Sequence, residues 1–262
     1  MPQKPRLGQN FLRDQTAIRR IVAALGDISH ETVVEIGAGQ GAITGLLAAQ
    51  AARVIAIELD RELAPRLRSL LGSERVSVVE QDVLDFDFAE TAAAAGQKLA
   101  IVGNLPYYIT APILLKLAAS APSLDRAVLM VQREVADRVA AAPGSRDYGL
   151  LSVTVQMYGP VERLFTLPPG VFSPPPEVHS TVFRWRLAPR FRELGVEEDT
   201  FPAFVRLVFA QKRKTLVNNL RAANYTPAAI QSALADAGIP AQARAEELSI
   251  ETLARLSLHM QK

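Results

Sequence analysis

The residues Gly103-Asn104-Leu105-Pro106-Tyr107-Tyr108 follow directly on the apolar run Leu99 to Val102. A strand therefore delivers them to its own C-terminal end, the edge at which open α/β sheets bind ligands. Their types suit the capture of an aromatic amine. The side-chain carbonyl of Asn104 and the backbone carbonyl of Leu105 are uncharged acceptors able to grip the two hydrogens of an exocyclic amino group. Pro106 donates nothing and restricts the backbone, which can hold that carbonyl outward. Tyr107 and Tyr108 offer flat faces on which a flipped-out base stacks, at roughly 1 to 3 kcal/mol per base. The other reading of the stretch is an Asn-Pro loop with two tyrosines finishing the core.

A second group of residues lies upstream. Gly37-Ala38-Gly39-Gln40-Gly41 is a glycine turn that lets backbone approach a ligand closely. With Ala42 it also satisfies the dinucleotide fingerprint, and Glu58, about 20 residues on, is placed to bind a ribose. The turn alone does not separate a nicotinamide enzyme from a methyltransferase. Glu35 just before the turn, Asp82 where an adenine amine would lie, and the amine clamp all favour S-adenosylmethionine, since none of them helps hydride transfer. Solvated or capping carboxylates are the alternative roles for Glu58 and Asp82.

The elements that must position these groups form a βαβ series. Strands are predicted at Thr32 to Ile36, Arg53 to Ile57, Val76 to Val79, Leu99 to Val102 and Ala127 to Val131. Helices are predicted between them at Ile43 to Ala51, Arg61 to Leu71 and Ile113 to Ala119. Such alternation implies a parallel sheet covered on both faces. Before it, Asp14 caps a helix carrying Ile18, Ile21, Val22 and Leu25, and Phe11 and Leu12 fold a basic arm back onto the body. After it, Arg133 to Ala141 and Leu150 to Tyr158 read as helices. Two strands follow, Val161 to Leu167 and His179 to Leu187, joined by a stiff proline-rich connection. That connection can fix Phe172 over the crevice, or bury it in a rigid loop. From Phe201 onward the pattern is helical.

Composition narrows the chemistry. Zero cysteines among 262 residues exclude disulfides, thiolate metal sites and a cysteine nucleophile. His30, His179 and His259 are too scattered for a histidine metal site, so no metal is expected. No apolar stretch approaches a membrane span and the first residues lack the apolar core of a signal peptide, so a cytoplasmic protein with no membrane partner is expected. The formal charge is only +2, with a pI of about 9.0. Its distribution is more telling than its sum. Lys4, Arg6 and Arg13 make the start basic, and Thr200 to Ala235 holds no acid while carrying Arg206, Lys212, Arg213, Lys214 and Arg221. Segregated positive charge is the footprint of a phosphate-binding surface, and a solvated helix face is its plainer explanation.

Taken together, Gly8-Gln9-Asn10-Phe11-Leu12, Glu35-Ile36-Gly37-Ala38-Gly39, Asn104-Leu105-Pro106-Tyr107-Tyr108, Phe172-Ser173-Pro174-Pro175-Pro176, Lys212-Arg213-Lys214-Thr215-Leu216 and Arg244-Ala245-Glu246-Glu247-Leu248 span nearly the whole chain. In order and spacing they resemble the ribosomal RNA adenine dimethyltransferases, and within them the bacterial small-subunit branch. The resemblance implies an α/β fold: a Rossmann-like class I methyltransferase sheet with helices on both faces over residues 1–188, plus a small all-helical RNA-binding domain over 189–262. It implies that Asn10, Leu12, Gly37, Gly39, Glu58, Asp82, Val83 and Asn104 hold S-adenosylmethionine. Asn104, Leu105, Pro106 and Tyr107, helped by Phe172, would hold the target adenine. Lys4, Arg6, Arg206, Lys212, Arg213, Lys214 and Arg221 would meet RNA. The implied partner of this monomer is 16S rRNA in a small ribosomal subunit or its precursor, dimethylated at N6 of two adjacent adenines. Glu177 and His179 depart from the Lys and Asp common at those positions. The rivals are a nicotinamide oxidoreductase, a noncatalytic assembly factor on the same scaffold, and a large-subunit rRNA methyltransferase of the antibiotic-resistance type.

The acid-free stretch generates a direct expectation. Replacing Lys212, Arg213 and Lys214 together by Ala should lower RNA affinity and flatten its dependence on salt, because phosphate contacts release counterions. Binding titrations across salt concentrations check this, and an unchanged slope assigns the three residues to a solvated face.

Overall fold

Runs of buried β-branched and aliphatic residues form the strands, and polar-flanked apolar stripes form the helices between them. In the computed structural model, which describes residues 9–211 and 214–260, the order runs β1 (Phe11–Leu12), α1 (Gln15–Ala23), β2 (Thr32–Ile36), α2 (Ala42–Gln50), β3 (Arg53–Glu58), α3 (Leu63–Leu71) and β4 (Val76–Glu80). It continues with α4 (Phe88–Ala95), β5 (Leu99–Asn104), α5 (Thr110–Ala119), β6 (Leu124–Gln132), α6 (Arg133–Val139) and α7 (Leu150–Met157). Then come β7 (Val161–Leu167), β8 (Phe172–Ser173), β9 (Ser180–Arg186), α8 (Phe191–Leu194), α9 (Phe201–Val208), α10 (Leu216–Ala222), α11 (Pro227–Ala237) and α12 (Ile250–Met260). Lys4, Arg6, Lys212 and Arg213 lie outside the described residues. Among those described, no helix is long and apolar enough to cross a membrane.

Contacts divide the chain into two units, one of residues up to 136 plus 160–188, the other of 137–159 plus 189 onward. The first holds a seven-stranded sheet in the order β4-β3-β2-β5-β6-β9-β7. β2 to β6 are parallel, as their alternation with helices predicts. β9 runs antiparallel to both β6 and β7, which the expectation of a parallel sheet did not contain. The cause is connectivity: β7 and β9 are joined by a proline-rich loop with no helix, and only a helical crossover returns a chain parallel to itself. Every residue of β2 is buried, as are Leu99 to Gly103 of β5, because both strands are central and covered on both faces.

Asp14 caps α1 by accepting from the Ala17 N–H at 2.6 Å. Before that helix, β1 pairs antiparallel with β8, with Phe11 opposite Ser173 and Leu12 opposite Phe172. The arm expected from Phe11 and Leu12 is thus a strap held by a two-residue ladder, extended by the Arg13 N–H to the Val171 carbonyl at 2.9 Å.

The second unit is helical among the described residues and differs in extent from the single cut after 188. Segment 137–159 belongs with it: Tyr148, Val153, Val155 and Met157 are buried, Tyr148 meets the Phe209 ring edge-on at 6.4 Å, and the Gly144 N–H donates to the Glu246 carbonyl at 2.8 Å. An apolar face of that length has to be covered by the later helices. The sequence stretch 84–98, for which no element was expected, forms α4, capped by Asp87 at one end and by Gly96 in the left-handed region at the other.

The position just before Asn104 is a packing constraint. A β-carbon on Gly103 would lie 2.8 Å from the Ile36 carbonyl oxygen on the neighbouring strand. Gly103→Ala is therefore expected to cost about 1 to 3 kcal/mol in urea denaturation. Gly45→Ala, on the exposed side of α2 with nothing within 4 Å, should gain up to about 1 kcal/mol in the same assay.

Candidate functional site

The sheet order places β2 between β3 and β5, so the connections from β2 and β5 leave in opposite directions and open a crevice above their C-terminal ends. Four strand ends meet there. The glycine turn follows β2, Glu58 ends β3, Gln81-Asp82-Val83 follows β4, and Asn104 ends β5. With the strap residues Gln9 to Leu12 they line a cleft of about 1030 Å³ including its open mouth.

Glu58 organises the turn. It is 3% exposed; its Oε2 accepts from the Gly39 N–H at 2.7 Å and its Oε1 from the Asp60 N–H at 2.9 Å. Those bonds use one lone pair of each oxygen and leave capacity toward the cleft. Gly39 has φ +55, and a β-carbon there would lie 3.2 Å from the Phe11 ring. The strap thus seats its aromatic ring on Gly39, where a side chain would stand in its way. Asp82 is half-buried and its Oδ1 accepts from the Leu84 N–H at 2.9 Å, so the capping role that the sequence left open is present, in a residue that also lines the cleft.

At the end of β5 the Leu105 N–H donates to the Met130 carbonyl at 3.0 Å, which extends the sheet bonding past the strand. Pro106, at φ −59 and ψ 130, then turns the chain into a single 3-10 turn at Tyr107–Ile109. The Asn104 Nδ2 donates to the Asn10 carbonyl at 2.9 Å. Its Oδ1 is thereby the end of the amide left to accept. The two tyrosines differ: Tyr107 is half-buried, with its hydroxyl hydrogen-bonded to Ser180 Oγ at 2.9 Å, whereas Tyr108 is 60% exposed at the cleft. Burial pushes the Tyr107 phenol above its ordinary range, against the opposing hydrogen bond from Ser180.

The structure brings together Asn10, Leu12, Gly37, Gly39, Glu58, Asp82, Val83, Asn104, Leu105, Pro106 and Tyr107, all of them lining this cleft. It does not bring Phe172. That ring is 4% exposed in the core beside Leu12, where the β1–β8 ladder and the stiff connection hold it, and the expectation of Phe172 over the crevice is corrected accordingly. In the helical unit, Arg206, Lys214 and Arg221 are exposed, and the buried Asn219 amide donates to the Val208 carbonyl at 2.8 Å and thereby ties α10 to the end of α9.

Phe11 and Gln81 also line the cleft, though the sequence reading gave them no role there; Tyr108 and Glu35, which it singled out for stacking and for favouring the sulfonium ligand, line it too. Position beside recognised motifs was the signal for the first two. Glu35 is 2% exposed on the central strand, and its Oε2 accepts from the buried Thr44 hydroxyl at 2.5 Å. Desolvation pushes its carboxyl up to about 8; the Thr44 bond opposes this and the nearby Glu58 charge adds to it.

Three carboxyl-bearing residues, Glu35, Glu58 and Asp82, line the cleft, and no lysine, arginine or histidine does among the described residues. The pyrophosphate of a dinucleotide would meet repulsion there. A ligand carrying positive charge, an adenosine and a methionine-like chain fits the acids, the amide acceptors and the apolar walls of Leu12, Ile36 and Ile57, as S-adenosylmethionine does.

Comparison with known proteins agrees in kind. A family model described as ribosomal RNA adenine dimethylase matches residues 2–262. A protein named ribosomal RNA small subunit methyltransferase A, from Acidobacterium capsulatum, is 62% identical over 254 residues, or 97% of this chain and 89% of its own. A dimethyladenosine transferase from Plasmodium falciparum has the same fold, with TM-score 0.80 over 96% of this chain and 97% of that one at 24% identity. The 23S rRNA methyltransferase ErmE follows with TM-score 0.72 at 27% identity, covering 97% of this chain and all of its own (100%).

Glu35 makes a pH signature. Between its ordinary value of 4.5 and about 8 the folded chain keeps a proton that the unfolded chain has lost. The stability this proton contributes is complete below the lower value and disappears as pH rises through the upper one. Glu35→Gln cannot ionise, so in urea denaturation of the free protein it should nearly match the parent at pH ~5 and exceed it by on the order of a few kcal/mol above pH ~8.

Proposed function

The chain belongs to the ribosomal RNA adenine dimethylase family, and on that premise we propose that it dimethylates N6 of two adjacent adenines near the 3′ end of 16S rRNA. It does so as a cytoplasmic monomer acting on a small ribosomal subunit or its precursor. The observation that carries the reading is the amine clamp at the end of β5, opening on a cleft lined by carboxylates and, among the described residues, by no basic side chain. The small-subunit substrate is supported by the 62% identity with the Acidobacterium capsulatum protein, set against 27% with ErmE.

S-adenosylmethionine, when bound, supplies a methyl group on a positively charged sulfur that leaves as a neutral thioether. Asn10, Leu12, Gly37, Gly39, Glu58, Asp82, Val83 and Asn104 are the residues proposed to hold it, with Glu58 toward the ribose hydroxyls and Asp82 toward the adenine amine. In the first transfer Asn104 Oδ1 and the Leu105 carbonyl accept the two hydrogens of the target N6, and in the second one of them accepts the hydrogen that remains. The lone pair of that nitrogen is delocalised into the ring, and two in-plane acceptors localise it toward the incoming methyl. The proton departs once the nitrogen has become positive, so the chain needs to orient more than to deprotonate. Orientation of this kind is worth about 7 to 11 kcal/mol where alignment is good. The exposed face of Tyr108 and the anchored ring of Tyr107 stack on the base, which must leave any helix to reach them. Phe172 acts from the core by holding the strap. Arg206, Lys214 and Arg221, with Lys4, Arg6, Lys212 and Arg213, meet RNA phosphates.

Methyl-labelled donor with small and large subunits from cells lacking the endogenous activity tests this reading. Label confined to two dimethyladenines in 16S rRNA is the expected result, and label in 23S rRNA overturns it. In the same assay at saturating donor, Asn104→Ala should lower turnover by about 10²-fold or more while RNA affinity stays within a few fold. Near-normal turnover would mean that the base is held elsewhere.

A further inference from the structure

Methyl transfer as derived above gives Glu35 no task, and its surroundings are unusual for a carboxyl group. It lies on the central strand β2, level with Ala56 of β3 on one side and Val102 of β5 on the other, where solvent does not reach it. Its hydrogen-bond donor is the Thr44 hydroxyl of α2, itself fully buried. Ionised carboxylates at such depth are ordinarily paired with a cation. Among the described residues none lines the cleft. The charged and titratable groups that share the cleft are Glu58 from β3, Asp82 from the turn after β4 and the Tyr107 phenol from the turn after β5; Asn104, and Gln9 to Leu12 of the strap, carry no charge. Among the described residues of the cleft, then, the charges that can face Glu35 are negative and no cation is among them.

We propose that Glu35 is a proton-linked cation sensor: it holds a proton while the cleft is free and yields it to solvent as the positively charged methyl donor enters. The charge balance is simple. A neutral carboxylic acid and a cationic ligand become a carboxylate paired with that cation, and one proton passes to the buffer. The inference rests on the donor assignment made above and deepens it, because it states how the free protein tolerates a buried acid whose partner arrives only with the ligand. The raised ionisation of the Glu35 carboxyl, up to about 8, agrees with that arrangement. Its consequence is that donor affinity becomes a function of pH across the range in which cells operate.

Isothermal calorimetry of the full chain with S-adenosylmethionine in phosphate and in Tris, whose ionisation enthalpies differ, counts the protons released. At about pH 7 the wild type should release close to one proton per donor bound, and Glu35→Gln should release about one fewer. The ratio of wild-type to Glu35→Gln affinity should climb about tenfold per pH unit from about pH 6 and level off near 8. Equal proton counts in the two proteins, with donor bound by both, overturn the sensor and leave the donor assignment standing. Absence of donor binding to the wild type overturns the assignment and the sensor with it. Should Glu35→Gln not fold, the wild-type count decides by itself, since a value near zero at about pH 7 is incompatible with a proton held on Glu35.

Discussion

A buried acid without a counter-ion is the constraint on which the cleft depends. Ionised carboxylates are stable inside a protein only with donors or cations around them. For Glu58 and Asp82 the sheet meets this demand by backbone groups alone, two N–H groups on the first and one on the second, whereas Glu35, with a single hydroxyl beside it, keeps its proton instead. The glycine turn takes its shape from the first of these, since the Gly39 N–H is fixed by Glu58 from the next strand. A lysine anywhere in the lining would relieve the acids and also compete with a cationic ligand. Leaving the acids unanswered keeps the cleft selective, at a cost in the stability of the free protein.

The same economy governs Asn104. Its amide has one end that donates and one that accepts, and which end stays available is settled by the Asn10 carbonyl, which takes an Nδ2 hydrogen. The N-terminal strap therefore contributes an orientation as well as a wall. Tyr107 is treated alike: its hydroxyl is tied to Ser180, which fixes the ring within the fold, whereas the Tyr108 ring is exposed.

Much of this was legible in the residues. The strands with their ligand-facing ends, the glycine turn, Glu58 and Asp82 all lie where spacing puts them, because a βαβ unit leaves few ways to arrange its ends. Leu150 to Met157 forms a helix despite its β-branched content, since the helical face of Val155 with its neighbours could be buried. Other features depend on partners distant in sequence. The direction of β9 is set by pairing with β6 and β7, and the burial of Phe172 by pairing with Leu12; neither is written in local periodicity. The difference between Tyr107 and Tyr108 rests on Ser180, seventy-three positions beyond the first of them. α4 was legible but unread: Asp87, a run of alanines and Gly96 are ordinary start and stop signals.

The β1–β8 ladder joins Phe11 and Leu12 to residues Phe172 and Ser173, with most of the sheet between them in the chain. During synthesis the glycine turn, Glu58, Asp82 and Asn104 all emerge well before the second half of that ladder exists. A nascent chain at that stage owns the floor of the cleft and lacks its strap, so Phe11 has nothing to hold it on Gly39 and the Asn10 carbonyl has no fixed place beside Asn104. Non-local closure of this kind comes late in folding. The strap can close over the cleft only once the proline-rich connection has been made, so in chain order the wall built by Asn10 and Phe11 is the last part of the cleft to be completed.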